Sequence, residues 1–235
     1  MRPGYRQYCA IARALDLLGQ RWTLLIVREL ALRGPLSAAA IARGLPDVPM
    51  NQLYERLALL EARGVVAACE DTDTDSSRVY EMTEAGHELE DVLGALARFG
   101  LERLNEDAEP GDAVLGHVLM GQLELRFDAA RASAEGFAGR FQLELADPHE
   151  LWSVEPGIPA PARWALLAGP DGLRARAGAC LDADASLRAS VDACVRLVAG
   201  DPQAALEIEV EGDEALAFGL LDLLGAEAPA QVAAA

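Results

Sequence analysis

A chain of 235 residues, about half of them hydrophobic, has room for one or two domains and is not a disordered polypeptide. Its net charge is −18, and every one of its 20 basic residues is arginine. Residues 1–10 do not read as a secretory leader and no apolar run reaches spanning length, so the expectation is a cytoplasmic protein without a membrane segment.

The charge is unevenly spread. Residues 1–104 hold 12 Arg against 15 acidic residues, a net of −3, whereas residues 105–235 hold 8 Arg against 23, a net of −15. An acidic balance argues against nucleic-acid binding only for the second part. Cys9, Cys69, Cys180 and Cys194 form no CxxC pair, so no metal site and a reducing compartment are expected.

In chain order, Ile11, Leu15 and Leu18 line one side of a helix over residues 8–18, stopped by Gly19. Trp22, Ile26 and Leu30 continue the stripe on a second helix that ends at Gly34-Pro35, with Trp22 read as a core anchor. A short helix over 36–42 precedes a longer one in which Leu53, Leu57 and Leu60 recur at i, i+4 and i+7. Pro49 suits the start of that helix and Gly64 its stop. Met50, Asn51, Gln52, Glu55 and Arg56 are then expected to point outward. Asn and Gln can pair bidentately with adenine, Arg reaches guanine or phosphate, and Met can touch a thymine methyl. Two strand-like runs, 65–70 and 78–82, flank the polar turn 71–77. This order is that of a winged helix-turn-helix whose second helix reads the major groove. Arg33, Arg43 and Arg78 complete the expected DNA contacts. The wing tip carries Asp71, Asp73 and Asp75, which would repel phosphate. Thr83 is expected to cap one long helix with Leu89, Val92, Leu93, Leu96 and Phe99 on a stripe, a surface that calls for a partner.

Cys9, the segment Ala14-Leu15-Asp16-Leu17-Leu18-Gly19-Gln20-Arg21-Trp22-Thr23-Leu24-Leu25-Ile26, Leu45-Pro46, Arg56-Leu57, Leu60-Glu61 and residues 78–86 together resemble the HxlR-type transcriptional regulators over about residues 8–99. The resemblance implies a homodimeric winged-helix regulator of double-stranded DNA. It departs from the family pattern at Pro49, where a capping Ser is usual, and in the Ala-rich helix over 36–42.

Residues 105–111 read as a linker. Beyond it come a helix over 114–126, strands over 141–146, 151–155 and 163–168, the hairpin turn Gly169-Pro170-Asp171-Gly172 into 173–179, then alternating short strands (187–190, 208–210) and helices (191–199, 214–224). Val195-Arg196-Leu197-Val198-Ala199-Gly200-Asp201-Pro202-Gln203-Ala204-Ala205-Leu206, followed by Glu211-Gly212-Asp213 and a closing apolar helix, resembles a sterol-carrier-protein-like domain. That resemblance implies a curved sheet and helices around an apolar tunnel for lipid-like molecules. Trp152, Trp164, Leu166, Phe218 and Leu221 are the candidate ligand contacts. The fold class is therefore α+β: a winged helix-turn-helix domain over 1–104 and a sterol-carrier-like sheet-and-helix domain over 112–226.

No catalytic set emerges. His87, His117 and His149 are isolated, and no nucleophile elbow, phosphate loop or nucleotide fingerprint is present, so neither enzymatic activity nor a cofactor is expected. Cys9, near a helix start, is a redox-sensing candidate, against the plainer reading of a small buried residue. The expected function is a DNA-binding regulator whose affinity responds to a small apolar ligand in the second domain. The alternative is a lipid-like carrier that uses its winged helix only to dimerise.

Overall fold

The computed structural model describes residues 4–70, 78–103, 113–147 and 163–226. The chain divides into two compact units, Met1–Leu96 and Ala97–Ala235. The expected wing tip and the expected strand over 151–155 lie outside the described residues.

The first unit runs α1 (Ala10–Leu18), α2 (Thr23–Arg33), β1 (Leu36–Ser37), α3 (Ala38–Arg43), α4 (Met50–Ala62), β2 (Val66–Glu70), β3 (Arg78–Met82), α5 (Glu84–His87) and α6 (Leu89–Arg103), whose midpoint carries the division. Leu53, Leu57 and Leu60 of α4 are fully buried with Ile26 and Val27 of α2, Ile41 of α3 and Tyr80 of β3. Ser37 caps α3 through Ala40 N–H, while Pro49 precedes α4 with no side-chain cap. Trp22 packs on this core from a left-handed backbone position (φ 76°), a conformation that costs roughly 1–2 kcal/mol in a non-glycine residue. The sheet has three strands in the order β1-β3-β2, because Leu36 and Ser37 pair with Tyr80 and Val79.

The single helix expected after Thr83 is two. Thr83 caps only α5, through Gly86 N–H, and its hydroxyl also donates to the Gly64 and Val65 carbonyls. Gly86 is pressed onto the Val65 carbonyl so closely that a Cβ would lie 2.2 Å from the oxygen. The chain is held there and restarts at Leu89, after which Leu89 and Leu93 pack on the first core.

The second unit has α7 (Gly116–Arg126), α8 (Ala129–Glu135), β4 (Gly139–Leu145), β5 (Arg163–Gly169), β6 (Gly172–Ala177), β7 (Ala185–Ala189), α9 (Val191–Ala199), a 3-10 turn (Pro202–Glu207), β8 (Glu209–Gly212) and α10 (Glu214–Leu223). Its five-stranded sheet has the order β6-β5-β4-β7-β8; only the β4–β7 pair is parallel. Residues alternate strictly: Phe141, Leu143, Trp164, Leu166, Ala185 and Leu187 turn inward, while Arg140, Arg163, Arg174, Arg176 and Arg188 lie on the solvent face. Helices α7 and α10 pack on the inner face, and α9 packs on α7. α8, absent from the sequence reading, is capped by Asp128 and stopped by left-handed Gly136. This is the sheet-and-helix architecture expected for the second domain.

One arginine ties its helices together. Half-buried Arg126, at the end of α7, donates to the Leu224 carbonyl after α10 (3.3 Å) and the Val198 carbonyl in α9 (3.2 Å). The cation thus sits where two helices leave carbonyls unpaired. Gly200 (φ 91°) and Gly225 (φ 85°) turn the chain beside it, and a Cβ on either would lie 3.0–3.1 Å from the guanidinium.

Candidate nucleic-acid interface

The leucine spacing that buries one side of α4 leaves a face formed by Met50, Asn51, Tyr54, Glu55 and Ala58, all exposed. Gln52 lies at its margin, half-buried. Tyr54 is 53% exposed and stands one turn beyond Met50 and Asn51. It is a candidate contact that residue-type reasoning passed over, although its position, i+4 from Met50 and i+3 from Asn51, placed it on their face.

Arg56 corrects the expectation of an outward side chain. It follows Leu53 by three residues and precedes Leu60 by four, so it shares their buried face and is 6% exposed. Its Nη1 lies 3.6 Å from Glu55 Oε2, and its Nε has no hydrogen-bond partner. Arg33 is likewise drawn inward. Its guanidinium bonds Glu29 Oε2 (3.1 Å) and the Ala40 carbonyl (3.2 Å). Glu29 is wholly buried and is met from its other side by Arg28 (2.7 Å), which also reaches the Gly44 carbonyl (3.3 Å). A Cβ on Gly44 would fall 1.8 Å from Glu29 Oε2, so only glycine lets the turn close over the carboxylate. The two arginines and one carboxylate therefore fasten α3 and the turn before α4 to α2, which sets how α4 is presented. Arg43, at the end of α3, is half-buried and also engaged.

Arg78 is exposed, but its Nη2 holds both oxygens of Glu61 near the end of α4 (2.6 and 2.8 Å) and its guanidinium lies over the Tyr80 ring. It braces the wing strand against the helix. The structure thus brings Met50, Asn51, Tyr54 and Glu55 together on one face and places Arg33, Arg56 and Arg78 in contacts within the unit.

Cys9 is an exposed free thiol immediately before α1, which corrects the plainer reading of a small buried residue. Burial, and secondarily Glu81, push the Cys69 thiol up from its ordinary value, and burial pushes Cys194 up to about 12. In the second unit Trp164, Leu166 and Leu221 are buried in the core and Phe218 packs against it; Trp152 lies outside the described residues. Among the described residues no group of three or more His, Cys, Asp or Glu could hold a metal, and no helix is long and apolar enough to cross a membrane.

A buried three-helix core, a recognition-type helix and a short antiparallel wing define a winged helix-turn-helix protein. Residues 17–108 match the HxlR-like helix-turn-helix family. The HTH-type transcriptional regulator YvaP of Bacillus subtilis is 34% identical over 90 residues, 38% of this chain and 82% of that one. The chain belongs to this family. An HTH-type regulator of Mycobacterium tuberculosis is 35% identical over 101 residues, 43% of this chain; the chain spans 63% of that relative's length. Among solved structures, reduced YodB from B. subtilis is 30% identical with a TM-score of 0.36, covering 45% of this chain and 100% of that one. A ubiquinone synthesis protein described as UbiJ-SCP2 aligns at 16% identity and a TM-score of 0.30 over 46% of this chain and 84% of that one.

Proposed function

We propose that the protein is a homodimeric transcriptional regulator that reads duplex DNA through α4 and responds to a small apolar ligand held by its second unit. The observation that carries the DNA-binding part is the exposed Met50-Asn51-Tyr54-Glu55 face on a helix whose other side is locked into the core. Asn51 suits adenine edges and Met50 a thymine methyl, and Tyr54 adds a donor and an aromatic face. Dimerisation is supported by two apolar stripes left in solvent: Ile11 and Leu15 along α1 with Tyr8 just before it, and Val92, Leu96 and Phe99 along α6. Two-fold operators require two copies of α4. Cys9, at the head of α1, stands where oxidation would act on that surface. The ligand reading rests on an apolar core containing Trp164, Leu166 and Leu221, with Phe218 against it, in a domain whose charge disfavours DNA.

The engagement of Arg33, Arg56 and Arg78 within the unit favours the carrier alternative to one degree: it leaves α4 few cations for phosphate. The regulator reading therefore carries a shallow salt dependence of DNA affinity with it. Titrating the full chain with its own upstream DNA, at several salt concentrations, is the decisive experiment. Specific binding that Asn51→Ala weakens by roughly 1–3 kcal/mol supports the regulator. No specific binding at any salt concentration, with dimers still present by ultracentrifugation, leaves the carrier.

A further inference from the structure

One polar atom in the second unit is buried with nothing to bond. Trp164 is 6% exposed, and its indole Nε1 finds no hydrogen-bond acceptor. Tryptophan N–H groups that are taken out of water are normally paired, because an unmet buried donor is costly. The place where this one occurs is distinctive. Across the inner face of the sheet, Trp164 stands between Leu143 of β4 and Ala177 of β6, and the next inward row is Phe141, Leu166 and Ala175. Elsewhere the inner face of β5 and β7 is buried, Ala168, Ala185 and Ala189 included. Here its last two positions on β6 shrink to alanine: Ala175 is half-buried and Ala177 is exposed. The orphan donor therefore lies beside an end of the inner face where the cover runs out.

We infer that this end of the sheet is the ligand subsite of the second unit, and that it takes a neutral, mainly apolar molecule whose carbonyl-type oxygen accepts the Trp164 Nε1 hydrogen. The inference rests on the ligand-responsive reading above and specifies it. The apolar character follows from the neighbours, Leu143, Leu166, Ala175 and Ala177. Neutrality follows from charge. The Glu124 carboxylate of α7 is held against β6, accepting Ala175 N–H at 2.6 Å, and residues 105–235 carry a net charge of −15. A ligand carboxylate would meet like charge in a half-buried setting, where screening is poor. An ester, ketone, amide or quinone oxygen meets the indole without that opposition.

The test uses the full chain and three matched probes: a long-chain methyl ester, the alkane of equal length and the corresponding fatty acid at neutral pH. Each competes against an uncharged fluorescent apolar dye. The ester is expected to bind about tenfold more tightly than the alkane, the return on one buried hydrogen bond, and more tightly than the acid. Trp164→Phe keeps an aromatic ring but removes the donor; it should erase the ester's advantage over the alkane measured in the same variant. In the unaltered chain labelled with ¹⁵N at its indoles, the Trp164 N–H resonance should move on adding ester and stay in place on adding alkane, a readout that needs no variant to fold. Equal affinity for ester and alkane, or an ester preference that survives in Trp164→Phe, overturns the subsite while leaving an apolar ligand site intact. If the dye and all three probes fail to bind the unaltered chain, the ligand reading itself falls, and this inference with it.

Discussion

The two units spend their arginines differently. In the first, Arg28 and Arg33 close on a buried carboxylate and Arg56 is carried inside beside Glu55, so cations that look available for phosphate hold the helix-turn-helix in shape. In the second, Arg126 caps helix ends from within and five others stand on the open face of the sheet, while the inner face is almost wholly apolar. The first unit thus presents the exposed face of α4 on a polar clamp. The second is an apolar interior in which, among the described residues, the one buried side-chain polar atom without a partner is Trp164 Nε1. Surface chemistry is to be sought in one and interior chemistry in the other.

The clamp gives the largest expected effect. Glu29→Ala leaves two half-buried guanidinium groups without their shared anion, a loss of about 3–5 kcal/mol of the kind seen when one partner of a buried pair is removed. Urea titration of the first unit's unfolding checks this. A loss below about 1 kcal/mol would mean that the clamp is ornamental and that Arg28 and Arg33 are free to meet phosphate. In the second unit Arg126→Ala removes a charged donor from two carbonyls, with an expected cost of about 2–3 kcal/mol. Urea titration checks this too, and a DNA titration of the folded variant should show no change in affinity.

The exposed face of α4, the proposed DNA-reading surface, sharpens the contrast from the other side. Asn51→Ala and Tyr54→Ala should each cost roughly 1–2 kcal/mol of specific DNA binding while moving the unfolding midpoint little, since both side chains are exposed. Arg56→Met is expected to do the reverse, sparing recognition while changing stability. Gel-shift and melting data on the three variants separate the roles; a loss of specific binding in Arg56→Met with unchanged stability would restore Arg56 to the DNA surface.

Much of this was legible in the residue pattern, and the failures are instructive. The leucines of α4 repeat at helical spacing, so the helix and its buried side follow from the sequence. Arg56 looks like a surface cation by residue type, yet the spacing that buries the leucines carries it inward with them. Tyr54 was passed over for the converse reason, an aromatic residue on the polar side of a helix. The break at Glu88 could not be read, because it depends on Gly86 touching the Val65 carbonyl, a contact between segments some twenty residues apart. Nor could β1, two residues long and a strand only through its pairing with Val79 and Tyr80. α8 was readable from its Asp128 cap and Gly136 stop but is too short to show a hydrophobic period. In the second unit alternation locates the strands, yet an unpaired indole N–H is visible only once its neighbours are placed.

The smallest expected effect concerns the Glu124 carboxylate held against the edge strand β6. Burial pushes the Glu124 carboxyl up, against the opposing pull of Ala175 N–H and Arg174. A carboxyl whose folded pKa lies above its unfolded one gives stability that is fully present below the unfolded pKa and is lost as pH rises through the folded pKa. At neutral pH Glu124 therefore works slightly against folding, while its oxygen still satisfies the backbone of an edge strand. Glu124→Gln retains an acceptor for Ala175 N–H and removes the titration. It should be as stable as the parent or more so at pH 7, by well under about 1 kcal/mol because the group remains partly in solvent. Below the usual carboxylate range that difference should vanish or reverse. Thermal melts of both proteins across the acid range would show the two curves separating as pH rises. Parallel curves would mean that the carboxylate is as well hydrated as one in water.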